Sequence, residues 1–379
     1  MEINSEKIAG EAIKMIAEKI SNLNRLNIIV AGKTGVGKST LINTVFRGEL
    51  TTTGIGKPVT THIQEYTKKD IPLKIYDTRG FEMKQEVQEQ VKQEIWDTIN
   101  AGFASKDINE AIHCIWYCIN TASQRIEPEE IKWIRELSEE NKIAKVPIIV
   151  VLTQSFSKKN AEQMKNILLD ENLNVAQIVP VLAADYEINE DYTAPAYGLD
   201  NLIQIMGEAL PDELIETLSY LQIVNLEEKK KHARKAVATA AIAAAGEGAA
   251  PIPFSDSFLL VPTQLGMIVS ITVIFGFDIN KSILIALLSS TLGSGGATLL
   301  GKTVVTNLVK VIPGIGSVAG GVISASTASV ITAALGEAYI QVLSLVFKGE
   351  MSLDELSTKK GKEVMSTLFL DELKKGSAK

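Results

Sequence analysis

Residues 25–48, RLNIIVAGKTGVGKSTLINTVFRG, decide the fold. A short β-branched run leads into a glycine-rich turn, and an apolar-periodic segment follows, which reads as strand, loop, helix. Within it Gly32-Lys33-Thr34-Gly35-Val36-Gly37-Lys38-Ser39 fits the spacing GxxxxGK[ST]. Glycines let the backbone wrap with its N–H groups pointing inward, and the helix N-terminus adds the positive end of a dipole. The loop from Lys33 through Thr34, Gly35, Val36, Gly37, Lys38 and Ser39 to Thr40 is therefore the candidate phosphate cradle. Lys38 is the point charge facing phosphate oxygens, and Ser39 is a candidate ligand for Mg²⁺.

Working outward, Asp77-Thr78-Arg79-Gly80 directly follows the apolar run PLKIY. A carboxylate at a strand end is placed to hold Mg²⁺ through water, and the Gly80 N–H can approach a terminal phosphate closely. Between the two motifs lies GIGKPVTTHIQEY, whose Thr60 or Thr61 can complete the metal shell; Thr60 is the favoured of the two. Candidate catalytic residues are Lys38, Thr60 and Gly80, and candidate metal ligands are Ser39, Thr60 and Asp77. Further strand-like runs at HIQEYTK, PLKIYDT, AIHCIWYCI, VPIIVVLT and AQIVPVLA alternate with helical patterns. The pattern predicts an α/β domain with a mostly parallel six-stranded sheet covered on both faces, and a hairpin just before Asp77.

GKTGVGKSTLIN, PVTT and DTRGFE together resemble the Era/septin-like branch of Ras-like P-loop GTPases over about residues 25–210. The resemblance implies GTP/GDP and Mg²⁺ as ligands and a nucleotide-dependent switch; slow hydrolysis, accelerated by a partner or by a homodimer through the G domain, is the expectation where the chain departs from the family. Three positions depart from it, one being Gly35, where potassium-activated relatives carry Asn, so potassium stimulation is not implied. Where the family's guanine-reading NKxD would follow the fifth strand, this chain has Thr153-Gln154-Ser155-Phe156, with Phe156 in place of the base-reading Asp. Thr153, Gln154 and Ala183, the last within Leu182-Ala183-Ala184, are the corresponding candidates for base contact. Phe81 follows Gly80 where Ras-like enzymes carry the water-orienting Gln, so Arg79, Glu82 and Arg125 become candidates to assist, alongside a partner or dimer. An ATP-using P-loop enzyme remains the alternative on the nucleotide.

Beyond Pro211 the composition shifts to Ala, Gly, Ser, Ile and Val. The region resembles a helical domain appended to some bacterial GTPases of that branch. Three uncharged stretches, Ser257–Phe277, Ser282–Gly301 and Val311–Gly336, have about the length of a membrane span. Pro262, the glycines around Gly295 and the PGIG at Pro313 interrupt them, as loops between packed helices would. The cluster Lys229, Lys230, Lys231, Arg234 and Lys235 suits an anionic leaflet, or equally a solvated helix face. The expected organisation is an N-terminal helix over 1–23, a G domain over 24–212 and an all-α domain over 213–379. Membrane contact through that last domain, or membrane remodelling, is the alternative function.

The formal charge is −7, with the acidic excess confined to the first 212 residues, which argues against general nucleic-acid binding. Cys114 and Cys118 fall on one strand face, and His62, His113 and His232 have no metal-ligand spacing. Two buried thiols and an amphipathic N-terminus without a signal-peptide core predict a cytoplasmic protein, peripheral at the inner membrane if membrane contact occurs.

Overall fold

The computed structural model describes residues 5–48, 50–53, 55–58, 62–78, 85–140, 145–247, 262–292 and 325–377. In chain order the elements are α1 (Ser5–Ser21), β1 (Leu26–Ala31), α2 (Lys38–Val45), α3 (Leu50–Thr53), β2 (Ile55–Pro58), β3 (Ile63–Thr67), β4 (Leu73–Thr78) and α4 (Gln85–Ser105). There follow β5 (Cys114–Asn120), α5 (Pro128–Glu140), β6 (Ile148–Thr153), α6 (Lys158–Asp170), β7 (Gln177–Pro180), β8 (Tyr186–Asn189), β9 (Tyr192–Ala194), α7 (Leu199–Ala209) and α8 (Ile215–Leu221). The rest is helical: α9 (Leu226–Glu247), α10 (Pro262–Phe275), α11 (Lys281–Leu292), α12 (Ala325–Phe347) and α13 (Lys359–Ser377).

The chain forms two compact units, Leu23–Asn225 and Met1–Asn22 with Leu226–Lys379. The boundary expected at Pro211 thus moves to Asn225, and the N-terminal helix groups with the helical unit. The reason is visible at the end of α2. Arg47 N donates to Leu221 O at 3.0 Å, Ile223 N donates to Val45 O at 2.9 Å, and the Arg47 guanidinium lies 4.4 Å above the Tyr220 ring. Gln222 Oε1 accepts from the Val224 and Asn225 amides, and Asn225 Nδ2 donates to Asp200 O. These bonds keep residues 215–225 with the sheet.

The sheet runs β2-β3-β4-β1-β5-β6-β7, with β1, β4, β5, β6 and β7 parallel and β3 antiparallel to its neighbours. The expected hairpin is β3 and β4. The seventh strand, β2, comes from the stretch before His62, ahead of the runs expected as strands. Every residue of β1 and β4 is buried, as strands covered on both faces must be. Consecutive side chains of β5 pin the two layers. Trp116 stacks on Phe46 after α2, with centroids 5.5 Å apart, and Tyr117 on Trp133 of α5, at 5.0 Å. Because the chain leaves β1 for β2–β4 on one side and returns to its other side at β5, a crevice opens above the carboxyl end of β1.

In the helical unit, α12 packs on α9 and α13. A Cβ at Gly336 would fall 2.5 Å from Val237 Cγ2, so the small residue is what lets α12 and α9 approach. Thr272 and Tyr339 share a buried hydrogen bond of 2.8 Å between α10 and α12. Lys229 is fully buried; its ammonium donates to Ile274 O at 2.8 Å and Phe275 O at 3.2 Å, closing the C-terminus of α10. Lys230 pairs with Glu227, Lys231 with Glu228 and Arg234 with Glu337. Of the five cations read as one cluster, one is therefore buried and three are ion-paired. Of the uncharged stretches, α10, α11 and the start of α12 are described, and the glycine-rich interruptions near Gly295 and Pro313 lie outside the described residues. Residues Ala328–Phe347 of α12 are long and apolar enough to cross a membrane, and 61% of the most apolar 18-residue window within them is buried within the protein.

Two predictions follow from buried polar groups. Lys229→Met leaves two helix-end carbonyls without their donor and should lower unfolding stability by about 2 kcal/mol, read from the urea midpoint. His113 Nδ1 accepts from Asn27 N at 3.0 Å, at the root of β1, and burial pushes its pKa down to about 4. Because the unfolded imidazole titrates near 6.5, this bond is fully available above pH 6.5, and stability falls as pH drops from 6.5 towards 4, by at most about 3 kcal/mol. His113→Asn, which keeps an acceptor at the Nδ1 position but cannot be protonated, should flatten that part of a stability–pH profile.

Candidate phosphate-binding site

Three glycines shape the loop between β1 and α2, and each has a left-handed φ: Gly32 at 141°, Gly35 at 75° and Gly37 at 94°. Gly32 has a second constraint. A Cβ there would lie 2.5 Å from the Cys118 carbonyl oxygen on neighbouring β5. Gly37 caps α2 without any side-chain hydrogen bond, so the first N–H groups of that helix have no side-chain acceptor at the cap. Thr34, Gly35, Ser39 and Thr40 are exposed along the rim, while Val36 is buried beneath it.

The Lys38 side chain folds back across this loop. Its ammonium donates to Gly32 O at 2.8 Å and Lys33 O at 3.0 Å, and lies 3.8 Å from Asp77 Oδ1. Both charged residues are more than nine-tenths buried. Pairing of β1 with β4, Val30 opposite Asp77, brings the carboxylate to the same end of the sheet as the loop. The structure therefore brings together the two motifs that the sequence separates by some forty residues.

Lys33 has its own partners, Glu127 at 2.7 Å and Glu130 at 3.4 Å, at the start of α5. Burial works to lower its pKa, but the hydrogen bond that Lys33 donates to Glu127 and the charge of Glu130 outweigh this and the net shift is upward. Cys118, beneath the loop, has its thiol pushed up to about 12 by burial, which makes it inert at neutral pH.

On the far side, Gln154, at φ 51°, donates from Nε2 to Gly35 O at 2.8 Å. It is a strut for the loop. Thr153 Oγ1 turns inward to Ile119 O at 3.1 Å, and the residue is 3% exposed. Neither side chain is directed outward as a base contact in the way their sequence positions suggested. Ala183 lies half-buried just past β7. The neighbouring Phe156 ring packs on Tyr186 of β8, centroids 4.1 Å apart.

Thr60, Thr61, Arg79, Gly80, Phe81 and Glu82 lie outside the described residues. Arg125 is exposed in the loop that leads to Glu127. Sequence reading missed the Glu127/Glu130 clamp on Lys33, whose signal was only an acidic helix start, and the Phe156–Tyr186 pair, whose members are thirty residues apart. Ser39, with an exposed hydroxyl at the first turn of α2, and Asp77 are hard oxygen donors of the kind Mg²⁺ takes, so these residues fit that ion.

Residues 27–154 match the sequence family described as "50S ribosome-binding GTPase". The sheet unit contains a P-loop GTPase domain. Curated relatives are distant. Cell division control protein 10 of Candida albicans is 27% identical over 217 residues, 48% of this chain and 60% of its own length. Neuronal-specific septin-3 of Homo sapiens is 22% identical over 218 residues, 50% and 60% of the two lengths. Septin-9 of Homo sapiens is 26% identical over 216 residues, 48% and 36%. The chain thus spans 60% or less of the length of these relatives, and the match covers about half of the chain itself.

The glycine geometry of this GTPase domain is open to direct test. Gly32→Ala places a methyl against a backbone carbonyl at a φ that side chains resist, and should cost about 3 kcal/mol or more. Gly35→Ala has open space and only the φ penalty, so about 1 kcal/mol is expected. Thermal unfolding of the two variants should show that order.

Proposed function

We propose that the chain binds GTP, hydrolyses it slowly to GDP and phosphate, and uses the difference between the two states as a switch. The observation that carries this reading is the buried Lys38 ammonium, held by the carbonyls of its own loop 3.8 Å from Asp77. A cation fixed there, at a glycine loop that opens a helix, has phosphate as its natural counter-charge. Ser39 and Asp77 would hold Mg²⁺, which neutralises charge between phosphate oxygens. In this reading Thr60 and Gly80 respond to the terminal phosphate, and the helical unit is the effector that the switch addresses.

Slow turnover follows from the side chain at residue 81. Phe81 has no group to orient a water, so the glutamine that does so in Ras-like enzymes has no counterpart at that position. A second protomer joined through the GTPase unit is the proposed source of acceleration.

The test is GTP binding and turnover by the purified full chain with Mg²⁺. Lys38→Ala should weaken nucleotide affinity by about a hundredfold or more, since it removes a charge-assisted contact to several oxygens. Turnover by dilute protein should be on the order of 10⁻⁴ to 10⁻³ per second and rise with protein concentration. Unchanged calorimetric affinity in the lysine variant would sink the phosphate-site reading.

A further inference from the structure

The side of the site beside the phosphate loop is built from two turns, residues 153–156 after β6 and 181–185 after β7. Ser155 N donates to Val181 O at 3.2 Å, and the Tyr197 hydroxyl donates to Ser155 O at 2.9 Å, so the turns are held together. Gln154 ties the first of them to the phosphate loop through Gly35. A nucleotide with its phosphates at Lys38 therefore has these turns as the wall available to its base.

Each polar side chain of that wall makes at least one bond within the protein. Thr153 Oγ1 donates to Ile119 O, Gln154 Nε2 to Gly35 O, and Ser155 Oγ to Leu152 O at 2.8 Å. Asp185 is the carboxylate of the second turn, and its Oδ1 accepts from Ala196 N at 2.7 Å. Besides the exposed Asp185, the wall carries an aromatic pair. Phe156 is half-buried and tilted 38° against Tyr186, which is 48% exposed at the start of a hairpin whose first strand is exposed throughout.

We propose that Phe156 and Tyr186 form the platform on which the purine of the bound nucleotide stacks, and that the site leaves the guanine N1–H and 2-amino group unread. This rests on the nucleotide reading above and adds the basis of its base selectivity. Stacking accepts any purine, because every base has a π-face. Strong discrimination requires a buried polar partner that is left unpaired by the wrong base, and the residue in the reading position is a phenyl ring. The selectivity for guanine is accordingly shallow.

The experiment is competition of GTP, ITP, ATP and inorganic tripolyphosphate against a fluorescent guanine nucleotide on the full chain with Mg²⁺. GTP and ITP, which differ only in the 2-amino group, should bind within about threefold of each other, and ATP within about tenfold, as expected of a site with no hydrogen-bonding selector. Tyr186→Ala, a surface change, should weaken all three nucleotides together by about fivefold to a hundredfold while leaving tripolyphosphate and the melting temperature unaffected; Tyr186→Phe should retain affinity. Phe156→Asp should open a gap of about tenfold or more between GTP and ITP by supplying the missing acceptor. A wild-type preference for GTP over ITP of about thirtyfold or more overturns the proposal, most directly if Asp185→Asn abolishes it. Unchanged nucleotide affinity in Tyr186→Ala overturns the platform while leaving the phosphate site standing. Failure of every nucleotide and of tripolyphosphate to compete overturns the phosphate reading itself.

Discussion

A single buried ammonium organises the sheet unit's site. Lys38 starts α2, yet its charge is satisfied by carbonyls that precede the helix and by proximity to a carboxylate on another strand. A lysine more than nine-tenths buried is costly unless it is paired. The loop must therefore turn its Gly32 and Lys33 carbonyls inward, and β1 must lie beside β4 in the register that sets Val30 opposite Asp77. The left-handed glycines, the close passage of Gly32 over Cys118 and the anchoring of the far end of α2 by residues 215–225 all serve that placement.

Much of this was legible in the sequence because the chemistry is local. A phosphate cradle needs its glycines, lysine and hydroxyl within one strand–loop–helix, so the spacing from Gly32 to Ser39 carries the information by itself. Asp77 was legible for the same reason, as a carboxylate ending an apolar strand. The sheet was readable from continuous buried runs such as those at β1, β5 and β6. The strand β2 was not, since Gly56, Lys57 and Pro58 are poor strand formers and only pairing with β3 makes the segment extended.

What escaped the sequence depends on partners distant along the chain. The break at Pro211 looked like a boundary, but membership of residues 215–225 in the sheet unit is decided by backbone bonds to Val45 and Arg47. Lys229 looked like one of five surface cations. It is the fully buried cap of α10, forty-five residues on, while three of its neighbours in the cluster are ion-paired. Gln154 looked like a base contact because of where it falls in the motif; its positive φ instead aims the amide at the phosphate loop.

The same accounting explains how the loop can attract phosphate at all. Among the described residues that are ion-paired there, the charged side chains are two cations, Lys33 and Lys38, against three carboxylates, Asp77, Glu127 and Glu130. Their formal sum is negative, so these five side chains supply no surplus of positive charge. The attraction has to come from position. Glu127 and Glu130 are spent on Lys33 beside the start of α5, whereas Lys38 lies at the mouth of the loop with the uncapped end of α2. At separations of a few ångströms in a site of low dielectric, the nearest charge and the oriented N–H groups outweigh carboxylates farther away that are already paired. Hard oxygen donors at Ser39 and Asp77 then give a divalent cation a place in the balance, so that phosphate charge is met by fixed dipoles, one lysine and a metal-compatible pair, with no need for a basic surface.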